Sequence, residues 1–174
     1  QDPMTSLNPV FSIGNQVVEA IKLHQNLPKK SLMASALDVL RKVNIPAAET
    51  RMRDYPHQMS GGMRQRVVGA MGISCQPQVL IADEPTTSLD VTIQAQYLAL
   101  LNEIKRESDV ALLFITHDFG IVAKMCDRVA VMYAGRIVEM GGVRDIFNHP
   151  AHPYTEALMA SVPKMEEDVD RLYS

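Results

Sequence analysis

Two short apolar runs constrain the fold of this chain more than any other feature. Residues 79–82 and 111–115 are continuously apolar and have the length of a strand. Between them, residues 92–107 carry apolar side chains at helical spacing. Strands that are buried on both faces and alternate with helices form parallel sheets. The pattern therefore predicts an α/β fold with a mainly parallel sheet.

The part of the chain before the first strand has a helical pattern. An apolar stretch at Ile13–Leu23 precedes a stripe of apolar residues that begins after Ser31, a candidate N-cap, and ends before Pro46. Ser60 is the candidate N-cap of a third helix, which ends near Cys75. A helical segment is thus predicted to precede part of an α/β core.

Beyond the second apolar run, the sequence predicts a short helix over residues 120–125 and then a β-hairpin. The hairpin strands are residues 128–133 and 136–140, with a turn at Ala134-Gly135. The final residues, 164–174, are acidic and are predicted to fray.

Charge and composition limit the possible classes of protein. The chain has 174 residues and a formal net charge of −3, whereas nucleic-acid-binding proteins usually need a basic surface. No stretch approaches the roughly 20 apolar residues that span a bilayer. The two cysteines, Cys75 and Cys126, lack metal-ligand spacing, and we expect two free thiols in a cytosolic protein.

The first apolar run ends in two adjacent carboxylates, Asp83 and Glu84, before Pro85. This position is the carboxyl edge of a parallel sheet, where α/β proteins bind ligands. Buried carboxylates need a cation or hydrogen bonds nearby. In nucleotide hydrolases the first such carboxylate holds Mg²⁺, and the second orients or deprotonates the attacking water. The alternative is a strand that ends in a solvated acidic turn.

Two further sites carry weaker signals. At Ser60-Gly61-Gly62-Met63, a hydroxyl and two glycines precede a helix, and the free N–H groups at a helix start suit a phosphate. An ordinary capped helix start is the alternative. His117 follows the second apolar run, again at the ligand edge of the sheet, although a lone histidine is more often structural or solvated.

Taken together, the order and spacing of these motifs resemble the ATP-binding cassette (ABC) ATPase family. A closer resemblance is to the oligopeptide, dipeptide and nickel branch of the importers, and it is carried by residues 1–9, 60–66, 82–90 and 152–155. Five motifs of the family have a counterpart here: Gln1 in the Q-loop, Ser60–Met63 in the signature motif, Asp83 and Glu84 in the Walker B motif, Ser88–Asp90 in the D-loop, and His117 as the switch histidine. Met63 replaces the usual glutamine, so it would contribute backbone or packing.

The resemblance implies ATP and Mg²⁺ as cofactors and a role for each matching residue. Glu84 and His117 would be catalytic, and Asp83 would hold Mg²⁺ through water, with Gln1 as a second metal contact. The nucleotide contacts would be Gln1, Ser60, Gly61, Gly62, Met63 and Asp90. Two cassettes would enclose two ATP molecules, so that the acidic pair of one chain and the glycine pair of the other meet the same triphosphate.

The resemblance also implies a domain order and a set of partners. Residues 1–9 would be the Q-loop segment, 10–75 the α-helical subdomain, 76–163 the C-terminal part of a P-loop NTPase (RecA-like) core, and 164–174 the acidic tail. The partners would be a second ATPase subunit, transmembrane permease subunits and, indirectly, an extracytoplasmic solute-binding protein, without nucleic acid. The subunit would lie peripherally on the cytoplasmic face of the plasma (inner) membrane.

The phosphate-binding Gly-x-x-x-x-Gly-Lys-Ser/Thr loop of the family has no counterpart in the sequence, which contains no Gly-Lys pair. Since that loop precedes the Q-loop, we expect the sequence to be a C-terminal fragment that alone binds ATP weakly and does not hydrolyse it. We also expect a partial sheet to leave an apolar face uncovered. Two alternatives stay open: a non-enzymatic interaction module, and a soluble ABC ATPase without a transport role.

Overall fold

The computed structural model describes residues 3–87, 89–108 and 110–161. The chain divides into two compact units, with the boundary between Ile115 and Thr116. The four predicted segments, with their boundaries at residues 9, 75 and 163, stay a prediction. Residues 164–174, the predicted acidic tail, lie outside the described part of the chain.

The first unit contains a helical region followed by a two-stranded parallel sheet. Its elements are α1 (Pro3–Ser6), α2 (Ile13–His24), α3 (Lys29–Lys42), α4 (Ala48–Arg51), α5 (Gly61–Ser74), β1 (Val79–Asp83), α6 (Val91–Glu107) and β2 (Ala111–Ile115). Strand β1 pairs in parallel with β2, and the partners run from Val79 opposite Ala111 to Asp83 opposite Ile115. The predicted parallel pairing of the two apolar runs is confirmed.

Helices α2, α3 and α5 enclose the apolar core of this unit. The predicted apolar stripe of α3 faces inward, at Leu32, Ala36 and Leu40. The fully buried apolar side chains are Ile13, Val17, Ile21, Ala36, Leu40, Val43, Val67 and Ala70. This core holds α5 in place, and α5 carries the glycine pair at its start.

The predicted N-cap of α3 is wrong. The helix begins at Lys29, two residues before Ser31, and Pro28 occupies the N-cap position with φ −61° and ψ 145°. Proline fixes its φ near this value, which suits the entry to a helix. The Ser31 hydroxyl instead donates a hydrogen bond to the Pro28 carbonyl oxygen at 2.8 Å.

Among the described residues, one face of the β1–β2 sheet is left largely open. Val79 and Ile81 on β1 are 54% and 61% exposed, and Leu113 and Ile115 on β2 are 52% and 47% exposed. The opposite face is covered in part, because a Cβ added at Gly72 of α5 would lie 3.1 Å from a methyl group of Leu80. The expectation of strands buried on both faces is therefore wrong for this sheet. The expected uncovered apolar face is present.

The second unit is built around a β-hairpin. Its elements are α7 (Phe119–Met125), β3 (Arg128–Tyr133), β4 (Arg136–Gly142), α8 (Val143–Asn148) and α9 (Pro153–Ser161). The strands are antiparallel, as predicted, and the turn residues Ala134 and Gly135 both have positive φ, 49° and 76°. Two positive φ values match the tight hairpin turn whose twist suits the flanking strands.

Two further findings concern the cysteines and the helices of the described residues. Cys75 and Cys126 are free thiols, as expected. Across the described ranges, no helix is both long enough and apolar enough to span a bilayer.

Candidate functional site

The acidic pair lies at the carboxyl edge of the parallel sheet. Asp83 is the last residue of β1, and Glu84 follows it in the loop that leads to α6. The Glu84 N–H donates to the carbonyl oxygen of Ile115, the last residue of β2, at 2.9 Å. The loop is therefore attached to the ends of both strands, which is the edge where α/β proteins bind ligands.

Glu84 adopts a left-handed backbone conformation, with φ 44°. For a residue other than glycine this costs about 1–3 kcal/mol, and such residues persist only where the surroundings hold them. The Thr87 hydroxyl donates to Glu84 Oε2 at 3.0 Å, and the Thr87 N–H lies 3.3 Å from the Glu84 carbonyl oxygen. The conformation of Glu84 is thus held by contacts both to β2 and within its own loop.

The glycine pair forms the first turn of α5, as predicted. Ser60 is the N-cap, and its hydroxyl accepts a hydrogen bond from the Met63 N–H at 3.3 Å. The two glycines differ in their surroundings. A Cβ at Gly61 would meet nothing within 4 Å, whereas a Cβ at Gly62 would lie 2.6 Å from Cγ2 of Ile93. Gly62 therefore permits close packing of two helix starts, and Gly61 leaves open space beside the N-terminus of α5.

The start of α6 lies beside the start of α5. Asp90 is the N-cap of α6, and its Oδ1 accepts a hydrogen bond from the Ile93 N–H at 3.0 Å. Its carboxylate therefore has a structural role that the sequence analysis did not assign. The contact between Gly62 and Ile93 brings Asp90 into the same region as Ser60 and Gly61.

Gln65 joins α5 to the acidic loop. Its side chain is 4% exposed, and Nε2 donates to the carbonyl oxygen of Pro85 at 2.8 Å. The buried Tyr97 of α6 lies near Gln65, and burial of the ring raises the pKa of Tyr97 to about 12. The sequence analysis missed Gln65. The available signal was a polar amide on the same face of α5 as Gly61 and Gly69, at intervals of four residues.

The other predicted site residues belong to the second unit or lie outside the described residues. His117 belongs to the second unit, between β2 and α7, and is exposed. Next to it, Asp118 caps α7 by accepting the Ile121 N–H at 3.1 Å. Gln1 and Ser88 are not among the residues that the structure describes.

The donor groups fit a magnesium ion that is bound mainly by water and phosphate. Among residues 3–87, 89–108 and 110–161, no group of three or more histidine, cysteine, aspartate or glutamate side chains could hold a metal. Magnesium keeps several waters and takes one or two carboxylates together with substrate phosphates. Asp83, half-buried at the end of β1, is a donor of this kind.

Comparison with known proteins gives matches to families, to curated relatives and to solved structures. The ABC transporter family matches residues 4–87, and the oligopeptide/dipeptide transporter C-terminal region matches residues 138–174. The glutathione import ATP-binding protein GsiA of Escherichia coli K12 is 57% identical over 165 residues, which are 95% of this chain and 26% of that protein. The protein of the same name from Shigella flexneri is 56% identical over the same length.

Two solved structures share the fold. The structure of cbiO1 from Clostridium perfringens, part of the ABC transporter complex cbiONQ, has 30% identity and a TM-score of 0.73, and the match covers 85% of this chain and 57% of that one. The ATP-binding cassette MJ0796, in a dimeric post-hydrolysis state bound to ADP and Pi, has 23% identity and a TM-score of 0.70, with 83% and 61% covered. These matches confirm the predicted fold class.

The curated relatives are much longer than this chain, which spans 26% of their length. Within that span the sequence identity is high and extends over both units. The two family matches lie on either side of β2 and include the acidic pair, the glycine pair and the His-Pro-Tyr-Thr segment at residues 152–155. The chain therefore belongs to the ABC transporter family, and its C-terminal part matches the oligopeptide/dipeptide transporters.

Proposed function

We propose that the protein binds and hydrolyses ATP as a subunit of an importer of peptides or related small solutes. The observation that carries the proposal is Glu84, held in a left-handed conformation beside Asp83 at the carboxyl edge of the sheet. The family assignment supports ATP as the substrate. The name of the relatives, glutathione import ATP-binding protein, supports a peptide-like solute and the direction of transport.

The residues of the acidic loop would carry the hydrolysis. Glu84 would orient the attacking water or accept its proton, and Asp83 would hold Mg²⁺ through water. The ion would neutralise charge on the phosphates. The bond from the Thr87 hydroxyl to Glu84 Oε2 would orient the carboxylate. His117 and Gln1 would complete this side of the site.

The start of α5 would bind the phosphates of a nucleotide held by a second subunit. The exposed N–H groups of a first helical turn, with the positive end of the helix dipole, favour an anion. Open space beside Gly61 would let a phosphate approach the backbone, and the Ser60 hydroxyl would add a hydrogen bond. Met63 would contribute its backbone, and Asp90 would contact the nucleotide from the start of α6.

The assembly follows from this division of the site between two chains. The protein would pair with a second ATPase subunit and dock on transmembrane permease subunits, which in turn receive solute from an extracytoplasmic binding protein. It would lie peripherally on the cytoplasmic face of the plasma (inner) membrane. Residues 10–75 would form the helical subdomain that contacts the permease, and residues 76–163 would belong to the ATPase core.

The direct test replaces Glu84 in the intact protein. Glu84→Gln keeps the size of the side chain and removes its basicity, so we expect steady-state ATP turnover to fall about 10²- to 10⁴-fold. ATP-dependent dimerisation should persist, because the binding groups are unchanged. The matched control is Glu103→Gln, an exposed carboxylate on α6, which should leave turnover at the wild-type level. Turnover close to wild type in Glu84→Gln would remove Glu84 from its role.

A further inference from the structure

The buried amide of Gln65 connects two parts of the proposed site that lie 20 residues apart in sequence. Gln65 lies in the second turn of α5, the helix that begins at Ser60 and the glycine pair. Its Nε2 donates to the carbonyl oxygen of Pro85, the residue immediately after Glu84, at 2.8 Å. Both groups are removed from solvent, so this bond is not exchanged freely for bonds to water.

The position of the Pro85 carbonyl is tied to the backbone conformation of Glu84, the residue before it. A bond that holds this carbonyl therefore also holds Glu84. Glu84 has φ 44° and precedes a proline, which itself restricts the backbone of the residue before it. A residue in such a conformation keeps it only while neighbouring contacts hold it. Three of the hydrogen bonds that flank the strained position run from the Glu84 N–H to Ile115, from Thr87 to Glu84 Oε2, and from Gln65 to Pro85.

Of these three bonds, the one from Gln65 comes from α5. The first comes from the end of β2, and the second lies within the loop. An α-helix rises about 1.5 Å per residue, so Gln65 lies roughly 7 Å along the axis from Ser60. A shift of the first turn of α5 would therefore be transmitted through a rigid helical segment to the Pro85 carbonyl.

The surroundings of Gln65 fix its side chain. Tyr97 on α6 is buried, and its hydroxyl lies near the Gln65 amide. Burial raises the pKa of Tyr97 to about 12, so the phenol stays protonated at neutral pH. Gly69, one turn after Gln65, leaves room for this ring, because a Cβ there would lie 3.2 Å from the Tyr97 hydroxyl oxygen.

We propose that Gln65 is a positioning residue for hydrolysis: it holds Glu84 in its working conformation through the Pro85 carbonyl, and so couples Glu84 to the phosphate-binding start of α5 in the same chain. The inference rests on the proposed ATPase function. It implies that when α5 contacts a nucleotide held by a partner chain, the Glu84 carboxylate in the same chain as that α5 is affected. Gln65 itself touches neither ATP nor water in this account.

The test compares Gln65→Met with Gln96→Met in the intact protein. Methionine keeps the length and the unbranched shape of glutamine and removes its donor. Gln96 lies on exposed α6 surface and accepts a hydrogen bond from Arg66 at 3.2 Å, so its loss removes an amide that does not touch the loop. We expect Gln65→Met to lower kcat at least tenfold with KM for ATP within about twofold. Gln96→Met should keep both values.

A second readout separates positioning from general destabilisation. Without nucleotide, hydrogen exchange at the Glu84 and Thr87 amides should become faster in Gln65→Met, while exchange at the buried amides of α2 and α3 stays unchanged. Tyr97→Phe, which removes one hydroxyl and keeps the ring, should change kcat and loop exchange in the same direction by a smaller factor. This milder variant serves if Gln65→Met fails to fold.

Each outcome decides the proposal. An unchanged kcat in Gln65→Met would overturn it, and so would a loss of activity accompanied by faster exchange throughout α2 and α3. Equal changes of kcat in the Gln65 and Gln96 variants would also overturn it. If the wild-type protein showed no ATP hydrolysis, the proposed function would fail. The exchange comparison, made without ATP, would then still support or overturn the link between α5 and the loop.

Discussion

The helical region and the sheet of the first unit are both rich in apolar residues, but they differ in how much of that surface is covered. Ile13 on α2 and Leu40 on α3 are fully buried. Ile81 on β1 and Leu113 on β2 are 61% and 52% exposed. The helices bury apolar side chains against one another, whereas the apolar side chains on one face of the two-stranded sheet remain about half exposed.

This difference shows that an apolar pattern predicts which side chains favour burial but not which elements will cover them. The stripes of α2, α3 and α5 are complementary surfaces within about 60 residues of chain, so they meet locally. A strand pair has two faces, and covering both requires elements on each side. Two continuously apolar strands therefore lead to the prediction that both faces of the sheet are covered. In this sheet the described residues cover a single face.

The largest expected effect tests the comparison directly. Leu40→Ala empties a fully buried position, which typically costs 2–5 kcal/mol, about the scale of the whole stability of a small domain. Ile81→Ala removes methyl groups that are already in contact with water, and we expect a change within about 0.5 kcal/mol. The measurement is the free energy of unfolding from urea titration. A cost at Ile81 as large as that at Leu40 would mean that the sheet face is covered in solution.

Local signals explain why much of the fold could be predicted. The start of α5 at Ser60 and the hairpin turn at Ala134-Gly135 depend on a few neighbouring residues, and both predictions were correct. The N-cap of α3 was wrong because Ser31 and Pro28 both suit a helix start, and the pattern does not rank them. Boundaries are therefore less certain than elements.

The candidate site was predictable in its residue types but not in its geometry. The acidic pair after an apolar run indicates the edge of a sheet, and the structure has Asp83 and Glu84 there. The left-handed conformation of Glu84 and the bond from Gln65 to Pro85 depend on atoms far apart in sequence. No local pattern at residues 65 or 84 specifies which atoms will meet.

A smaller change in stability should distinguish a packed position from an open one within the glycine pair. Gly62→Ala would place a Cβ 2.6 Å from the Cγ2 methyl group of Ile93, so either α5 or α6 must move, and overpacking of this kind costs about 1–3 kcal/mol. Gly61→Ala meets open space, and replacing a helical glycine there should raise stability by up to about 1 kcal/mol. Thermal unfolding of the two variants checks this order. Equal losses would show that Gly61 is also packed.

Gly61→Ala also tests the functional proposal, because the added methyl group would occupy open space beside the start of α5 and would not press on packed side chains. If a phosphate approaches the start of α5, the added methyl group should weaken ATP-dependent dimerisation while the chain remains stable. Dimerisation at the wild-type level would mean that the open space beside Gly61 is not used by the nucleotide.

The smallest expected effect concerns the second unit. There a carboxylate, and not an apolar contact, hydrogen-bonds the backbone just before a helix. Oxygens of Glu139 on β4 accept hydrogen bonds from the N–H groups of Ala151 and His152, at 2.7 and 3.1 Å. These groups precede α9 at the His-Pro-Tyr-Thr segment. The nearby hydroxyl of Thr155, followed by the Ala151 N–H, lowers the pKa of the Glu139 carboxyl from its ordinary value of 4.5. Between these two causes we give more weight to the backbone bonds, because the buried Thr155 hydroxyl makes no hydrogen bond of good geometry.

A carboxyl whose pKa is lower in the folded state stabilises the fold above its unfolded pKa, and the contribution disappears as the pH falls through the folded value. At pH 7, Glu139→Gln should therefore melt about 1–3 °C below wild type, a small shift because the carboxylate is near solvent. Below pH 4.5 the difference should shrink, since protonated glutamate and glutamine carry the same charge. The matched control is Glu156→Gln, which removes an exposed carboxylate from the first turn of α9. A difference between wild type and Glu139→Gln that stays constant from pH 7 to pH 3 would contradict this account, because it would mean that the shape of the side chain, and not its charge, secures the start of α9.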